Sequence, residues 1–236
     1  GSVRDEEVIA AANAAGIAET AADMPVDSYC TGVFDVRDRH GWSNAVSQFG
    51  DATGGRMHVL FNNAGIGKHG WYEEVGQDDA DLVVDVNLKG VMNGVYAALP
   101  LLETTPGARV INTASTAGLV GSPRLAVYSA TKAYVTSFTE GVAMELRSSG
   151  IKVTALCPGL TKTEFQQNSN TTGAATSFPA FAWTSVSMVA KAGLEGVAQG
   201  KVIVVPGVLY KVLVAISNSV PRAVSRKITQ LITKRV

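Results

Sequence analysis

The chemistry this chain could do gathers around Tyr128-Ser-Ala-Thr-Lys132, with Ser115 thirteen residues ahead of the tyrosine. In a helix, that spacing puts the Tyr128 phenol and the Lys132 ammonium on one face, a turn apart. A cation there favours phenolate over phenol, so the tyrosine pKa is expected to fall from its reference near ~10 toward neutral pH. Tyr128 would then serve as a general acid or base. Ser115 stands at the end of an expected strand, from which it can donate a hydrogen bond to an oxygen that gains charge when a carbonyl accepts hydride. A lone Tyr and Lys four apart are most often ordinary helix-surface residues. Here Asn62-Asn63-Ala64-Gly65, Asn87 and Pro158-Gly159 fall in order around the pair.

Alternating strand-like and helix-like stretches must position these residues, the pattern of a parallel sheet with helices on both faces. Short apolar, β-branched runs predict strands at Tyr29 to Val36, Met57 to Phe61, Ala108 to Thr113, Lys152 to Cys157 and Lys201 to Val205. Helical periodicity predicts helices over Val3 to Asp23, Arg39 to Phe49, Asp78 to Leu102, Val127 to Ser148 and Ser185 to Gln199. Gly107, Gly150 and Gly200 each lie between a helix and a strand, where a left-handed C-cap is wanted. Each motif thereby falls at a strand end or on a helix, where open α/β sheets place ligands. Pro158 to Pro179 is the longest irregular stretch and is expected to be a flap over substrate. Phe165 and Phe178 within it, and Phe181 and Trp183 just after it, suit either an apolar substrate or the packing of the flap itself.

The ordered set resembles the short-chain dehydrogenase/reductase family from about Asp35 to Val205. The resemblance implies an α/β fold, a doubly wound Rossmann-like parallel sheet, and an NAD- or NADP-dependent oxidoreductase acting on a secondary alcohol or ketone. Within it, Tyr128 would be the proton donor or acceptor, and Lys132 would lower its pKa and bind the nicotinamide ribose. Ser115 would orient the substrate oxygen, and Asn87 would support a water-linked proton relay through Lys132. Asn63, Ala64 and Gly65 would pass beside the cofactor ribose, Gly65 allowing close backbone approach. Asp35 and Val36 would contact adenine, and Pro158, Gly159, Thr161 and Thr163 would flank the nicotinamide carboxamide. Members of the family pair through long helices, so a homodimer or homotetramer is expected, with Ala97, Ala98, Ala130, Ala133 and Ala143 suiting close helix contact.

The resemblance lacks one part. The family's first strand and its glycine-rich turn, which puts backbone N–H groups against the cofactor pyrophosphate, should precede Asp35, and no GxGxxG opens a helix after a strand in this sequence. The fold is therefore read as lacking its first strand or strands, which would expose sheet edges. A longer natural chain is one explanation; a degenerate member covered by a partner is the other. The rival to an enzyme is accordingly a non-catalytic scaffold or interaction protein that has lost dinucleotide binding.

The 236 residues suit one domain: residues 1–27 a helix and connection, 28–206 the core, 207–236 a basic tail. Twenty Lys and Arg balance twenty Asp and Glu, so nothing overall points to nucleic acid. Cys30 and Cys157 stand in apolar runs and the three histidines are scattered, so reduced structural thiols and no metal are expected. No uncharged apolar run reaches the ~18 residues of a membrane span, and the expected compartment is the cytoplasm. From Gly207 onward Lys211, Arg222, Arg226, Lys227, Lys234 and Arg235 occur with no acidic residue. That segment reads as a helix closing over the pocket or a subunit interface, or as an amphipathic helix in weak contact with an anionic membrane.

Overall fold

A computed structural model describes residues 32–163, 165–169, 178–221 and 223, 224, 227 and 229. The expected helix over Val3 to Asp23, Cys30 and the last cations of the tail lie outside the described residues.

Four parallel strands run β1 (Val59–Asn62), β2 (Arg109–Thr113), β3 (Lys152–Leu156) and β4 (Ile203–Val204), adjacent in chain order. Val110 pairs with Leu60 and Val153, and their side chains enter one apolar cluster with Val95, Ala98 and Leu102. Ile111, one residue on from Val110, and Leu156, three on from Val153, turn to the other face and pack with Val189, Val197 and Val204. Two buried faces explain why the strands read as continuous apolar runs with no clean alternation. Helices cover the first face with α1 (Arg39–Thr53), α3 (Gly90–Glu103) and α4 (Ala126–Glu145), and the second with α6 (Val186–Ala198), while the short α5 (Phe165–Asn168) follows β3. This is the expected doubly wound arrangement. Gly107, Gly150 and Gly200 take φ of 75°, 73° and 71°, a left-handed turn that a Cβ would strain. No described helix is long and apolar enough to cross a membrane.

Two expectations are corrected. Residues 32–36, the described part of the strand read at Tyr29 to Val36, form no strand. No described strand lies beside them to take their backbone hydrogen bonds, and the chain turns instead, Asp38 N–H donating to Asp35 O at 2.8 Å. The helix read as continuous over Asp78 to Leu102 is α2 (Gln77–Val84) and α3 joined by a π-helical turn, Asp85–Lys89. Single π turns inserted in helices recur at functional sites, and this one carries Asn87.

Candidate active site

The C-terminal ends of β1, β2 and β3 open onto a cavity of about 710 Å³. Its lining includes Asn63 and Gly65 after β1, Thr113 at the end of β2 and Ser115 after it, Tyr128 and Lys132 from α4, and Pro158, Gly159, Thr161 and Thr163 after β3. Nine of the expected site residues therefore share one wall of space. Asn87, Ala64, Asp35 and Val36 do not line it.

Ser115 caps a short 3-10 turn, Thr116–Gly118, by accepting from Ala117 N–H at 3.1 Å, which leaves its own O–H to donate. Gly118 lets that turn press on the backbone of α4: a Cβ there would meet the Lys132 carbonyl carbon at 2.5 Å. The serine and the Tyr128–Lys132 face are thus held together by backbone contact. Lys132 is buried, and its Nζ donates to Thr113 O at 2.8 Å and lies 5.7 Å from the Tyr128 ring centroid.

The electrostatics run against the direction expected from the sequence. Burial pushes the Tyr128 phenol up to about 12, only partly offset by its hydrogen bond with Ser115. Burial likewise pulls the Lys132 ammonium down to about 8. Desolvation outweighs the attraction because the ammonium bonds to the Thr113 carbonyl and stands off the ring. Cys157, directly behind, is a free buried thiol pushed up to about 11, mainly by burial.

Asn87 stands one layer behind the cavity. Its Oδ1 accepts from Ile66 N–H at 2.9 Å, and its Nδ2 donates to Ile66 O at 2.9 Å and to Thr131 Oγ at 3.0 Å. The side chain ties the segment after β1 to α4. A second polar chain does the same deeper in the core: Asn62 Nδ2 donates to Asn112 Oδ1 at 2.9 Å, and Asn112 Nδ2 to Thr139 Oγ at 3.0 Å. The positioning roles of Asn62, Asn112, Thr131 and Thr139 were missed from sequence, although amides near the ends of two apolar strands are a signal that could have found them.

Asp35 is held by Arg37, whose Nε lies 3.0 and 2.9 Å from its two carboxylate oxygens, so its carboxyl falls below the ordinary range. Val36 O accepts from Trp42 Nε1 at 2.9 Å and Asn93 Nδ2 at 3.3 Å, on the α1 and α3 side of the sheet. Phe165, expected in the flap, lines the cavity, and one further lining residue, Tyr210, escaped the sequence reading. Phe165 lies against Tyr128 with ring centroids 5.5 Å apart. Tyr210 enters from α7 (Val208–Ser219), whose Leu209, Leu213 and Val214 also line the cavity. For the described part of the basic tail, this matches a helix closing over the pocket.

The nicotinamide end of a dinucleotide fits these residues. A Cβ at Gly65 would sit 3.1 Å from Lys132 Nζ, so the glycine keeps room beside an ammonium that lines the cavity and has N–H groups beyond the one used on Thr113. At the pyrophosphate end, no glycine-rich turn follows a strand and opens a helix among the described residues.

Relatives share both sequence and fold. Oxidoreductase UcpA of Escherichia coli strain K12 is 35% identical over 141 residues, which are 59% of this chain and 53% of that protein. The chain thus spans about half the length of the curated relatives it matches. A short chain dehydrogenase/reductase from Burkholderia phymatum, solved in complex with NAD, superposes with a TM-score of 0.68 at 25% identity, covering 86% of this chain and 77% of that one. The 3-ketoacyl-(acyl-carrier-protein) reductase of Brucella melitensis, solved with NADH, gives 0.70 at 26% identity, covering 82% of this chain and 83% of that one. The family model for short chain dehydrogenase matches residues 5–174, and with the site geometry above this establishes that the chain belongs to the short-chain dehydrogenase family.

Proposed function

We propose that the protein is an NAD- or NADP-dependent oxidoreductase that interconverts a ketone and a secondary alcohol, with Tyr128 as general acid and base. The observation that carries this reading is the meeting of Ser115, Tyr128 and Lys132 on one cavity wall at the strand ends. Two relatives of the same fold were solved with NAD and NADH bound, which supports the cofactor class. When bound, the nicotinamide supplies or takes the hydride. The chain handles the oxygen and its proton. The Ser115 O–H, already oriented by Ala117 N–H, donates to the carbonyl oxygen that gains charge. With its phenol held up to about 12, Tyr128 is protonated at neutral pH and gives its proton to that oxygen during reduction. Oxidation uses the phenolate as base, which a charged Lys132 favours, and Lys132 would also hold the ribose hydroxyls. Asn87 and Thr131 keep α4 in register with the segment after β1, so Asn87 acts here as a positioning residue.

The test is a titration of the purified protein with NADH and NADPH, followed by nicotinamide fluorescence and then by ketone-dependent loss of nicotinamide absorbance. Saturable binding of one nucleotide and its consumption with a ketone are expected. A scaffold that has lost dinucleotide binding would show neither.

A further inference from the structure

We infer that the cavity takes a ketone or alcohol with an extended, uncharged apolar body, and that Tyr210 pins the helix wall against which that body lies. The inference rests on the redox reading above and names the substrate class for the same site.

Beyond Ser115 and Tyr128, most of the lining is apolar, with Ser122 and Gln166 among the few uncharged polar side chains away from the strand ends. Val120 comes from the loop before α4, Phe165 and Phe178 from the flap, Val189 from α6, and Leu213 and Val214 from α7. No Asp or Glu lines the cavity among the described residues. Of its cations, Lys132 is engaged at the reacting end and Lys68 is paired with Asp79 at 3.1 Å. His69 is held below its ordinary pKa by burial and by Arg124, so it favours the neutral form. A charged or heavily hydroxylated substrate would lose water there and find few polar groups in exchange. An apolar body would instead cover Phe178 and Leu213, which leave half their surface to solvent.

Tyr210 supplies the side-chain hydrogen bonds that tie the α7 wall to other elements. None of the helix's residues is buried, and its inward row is Tyr210, Val214 and Ser217. The Tyr210 ring packs against Gly159, where a Cβ would meet ring atoms at 2.1 Å. Its hydroxyl accepts from Leu160 N–H at 2.9 Å and donates to Ala182 O at 2.7 Å. One phenol thereby joins α7, the segment after β3 and the turn Ala180–Ala182 across the cavity. Tyr210→Phe keeps the ring and removes both hydrogen bonds; Gly159→Ala displaces the ring.

The test uses straight-chain 2-ketones of increasing length and a ketone of matched length ending in a carboxylate. Their turnover is measured on the wild-type protein, and their binding by calorimetry on both the wild type and Tyr128→Phe. Affinity and kcat/KM are expected to rise by up to about fourfold per added methylene before levelling, and the carboxylate to lose about tenfold or more. Tyr210→Phe should raise KM about tenfold for the long ketones while leaving kcat and the KM of the shortest within about twofold. A merely structural role would move short and long ketones together, and that result overturns the part given to Tyr210. A flat series, or a preference for the carboxylate, overturns the substrate class even if turnover is brisk. Length-dependent binding without turnover would overturn the redox reading and leave the class standing.

Discussion

At Tyr128 and Lys132, the physics that matters is desolvation, and it fixes the sign of two pH effects. The Lys132 pKa is lowered from 10.5 to about 8 in the folded chain, so burying the charged form costs stability in full below pH 8. That cost is relieved as pH rises from about 8 toward 10.5, where the unfolded chain holds a proton that the folded chain has released. For Tyr128 the shift from 10.0 to about 12 means that stability falls as pH rises through that window. Lys132→Met should therefore be more stable than wild type in urea at pH 7, with the advantage shrinking above pH 8; an advantage that grows with pH would contradict this account. The same variant should weaken both cofactor binding and turnover, since one ammonium serves both, and steady-state kinetics with a cofactor titration would show it. Residue types and spacing made Tyr128, Lys132 and Ser115 legible in the sequence, because a helical turn brings i and i+4 together whatever surrounds them. The direction of the phenol shift was not legible. It depends on how far Lys132 Nζ sits from the ring and on the Thr113 carbonyl that holds it, and no local spacing encodes either.

Among the elements, the π turn and the buried amides align α4 with the strand ends. Asn87→Ala removes three hydrogen bonds and leaves the Ile66 amide and the Thr131 hydroxyl short of a partner. A loss of ~2–4 kcal/mol in denaturant unfolding is expected, together with faster hydrogen exchange at the Ile66 amide. An unchanged Ile66 exchange rate would mean that Asn87 does not hold that segment. Strands and helices were legible where apolar period and glycine caps agreed, as at β2, β3 and the turns at Gly107 and Gly150. The irregular course of residues 32–36, the described part of the strand expected at Tyr29 to Val36, was not, because an apolar β-branched run states a preference for extended backbone and says nothing of whether a neighbour offers hydrogen bonds. The π turn was equally hidden, since one extra residue leaves helical period nearly unchanged over a stretch as long as Asp78 to Leu102.

Across the whole molecule, α3 and α4 present a shared outer face. Tyr134 donates to the Met92 sulfur at 2.8 Å and stacks on Phe138 at 5.8 Å, while Tyr96 is 85% exposed and Met144 73% exposed. Pairing of two copies across this face would bury it, so light scattering should report a homo-oligomer that Tyr96→Lys weakens; a monomer at micromolar concentration would contradict this. Six cations and no acids from Gly207 onward also suit a lipid surface. If that reading holds, binding to phosphatidylserine vesicles should fade with salt as the Debye length falls from about 10 Å at 0.1 M to about 3 Å at 1 M. Equal binding to neutral vesicles would dismiss it. The claim on which the rest depends is proton transfer through Tyr128 to a ketone reduced by a bound nicotinamide. Steady-state consumption of NADH or NADPH by the wild-type protein and by Tyr128→Phe, each with a long-chain 2-ketone and with cofactor affinity measured alongside, tests it most directly. The expected result is a ~10²- to 10⁴-fold loss of kcat at nearly unchanged cofactor affinity, and turnover by Tyr128→Phe within a few-fold of wild type would contradict it.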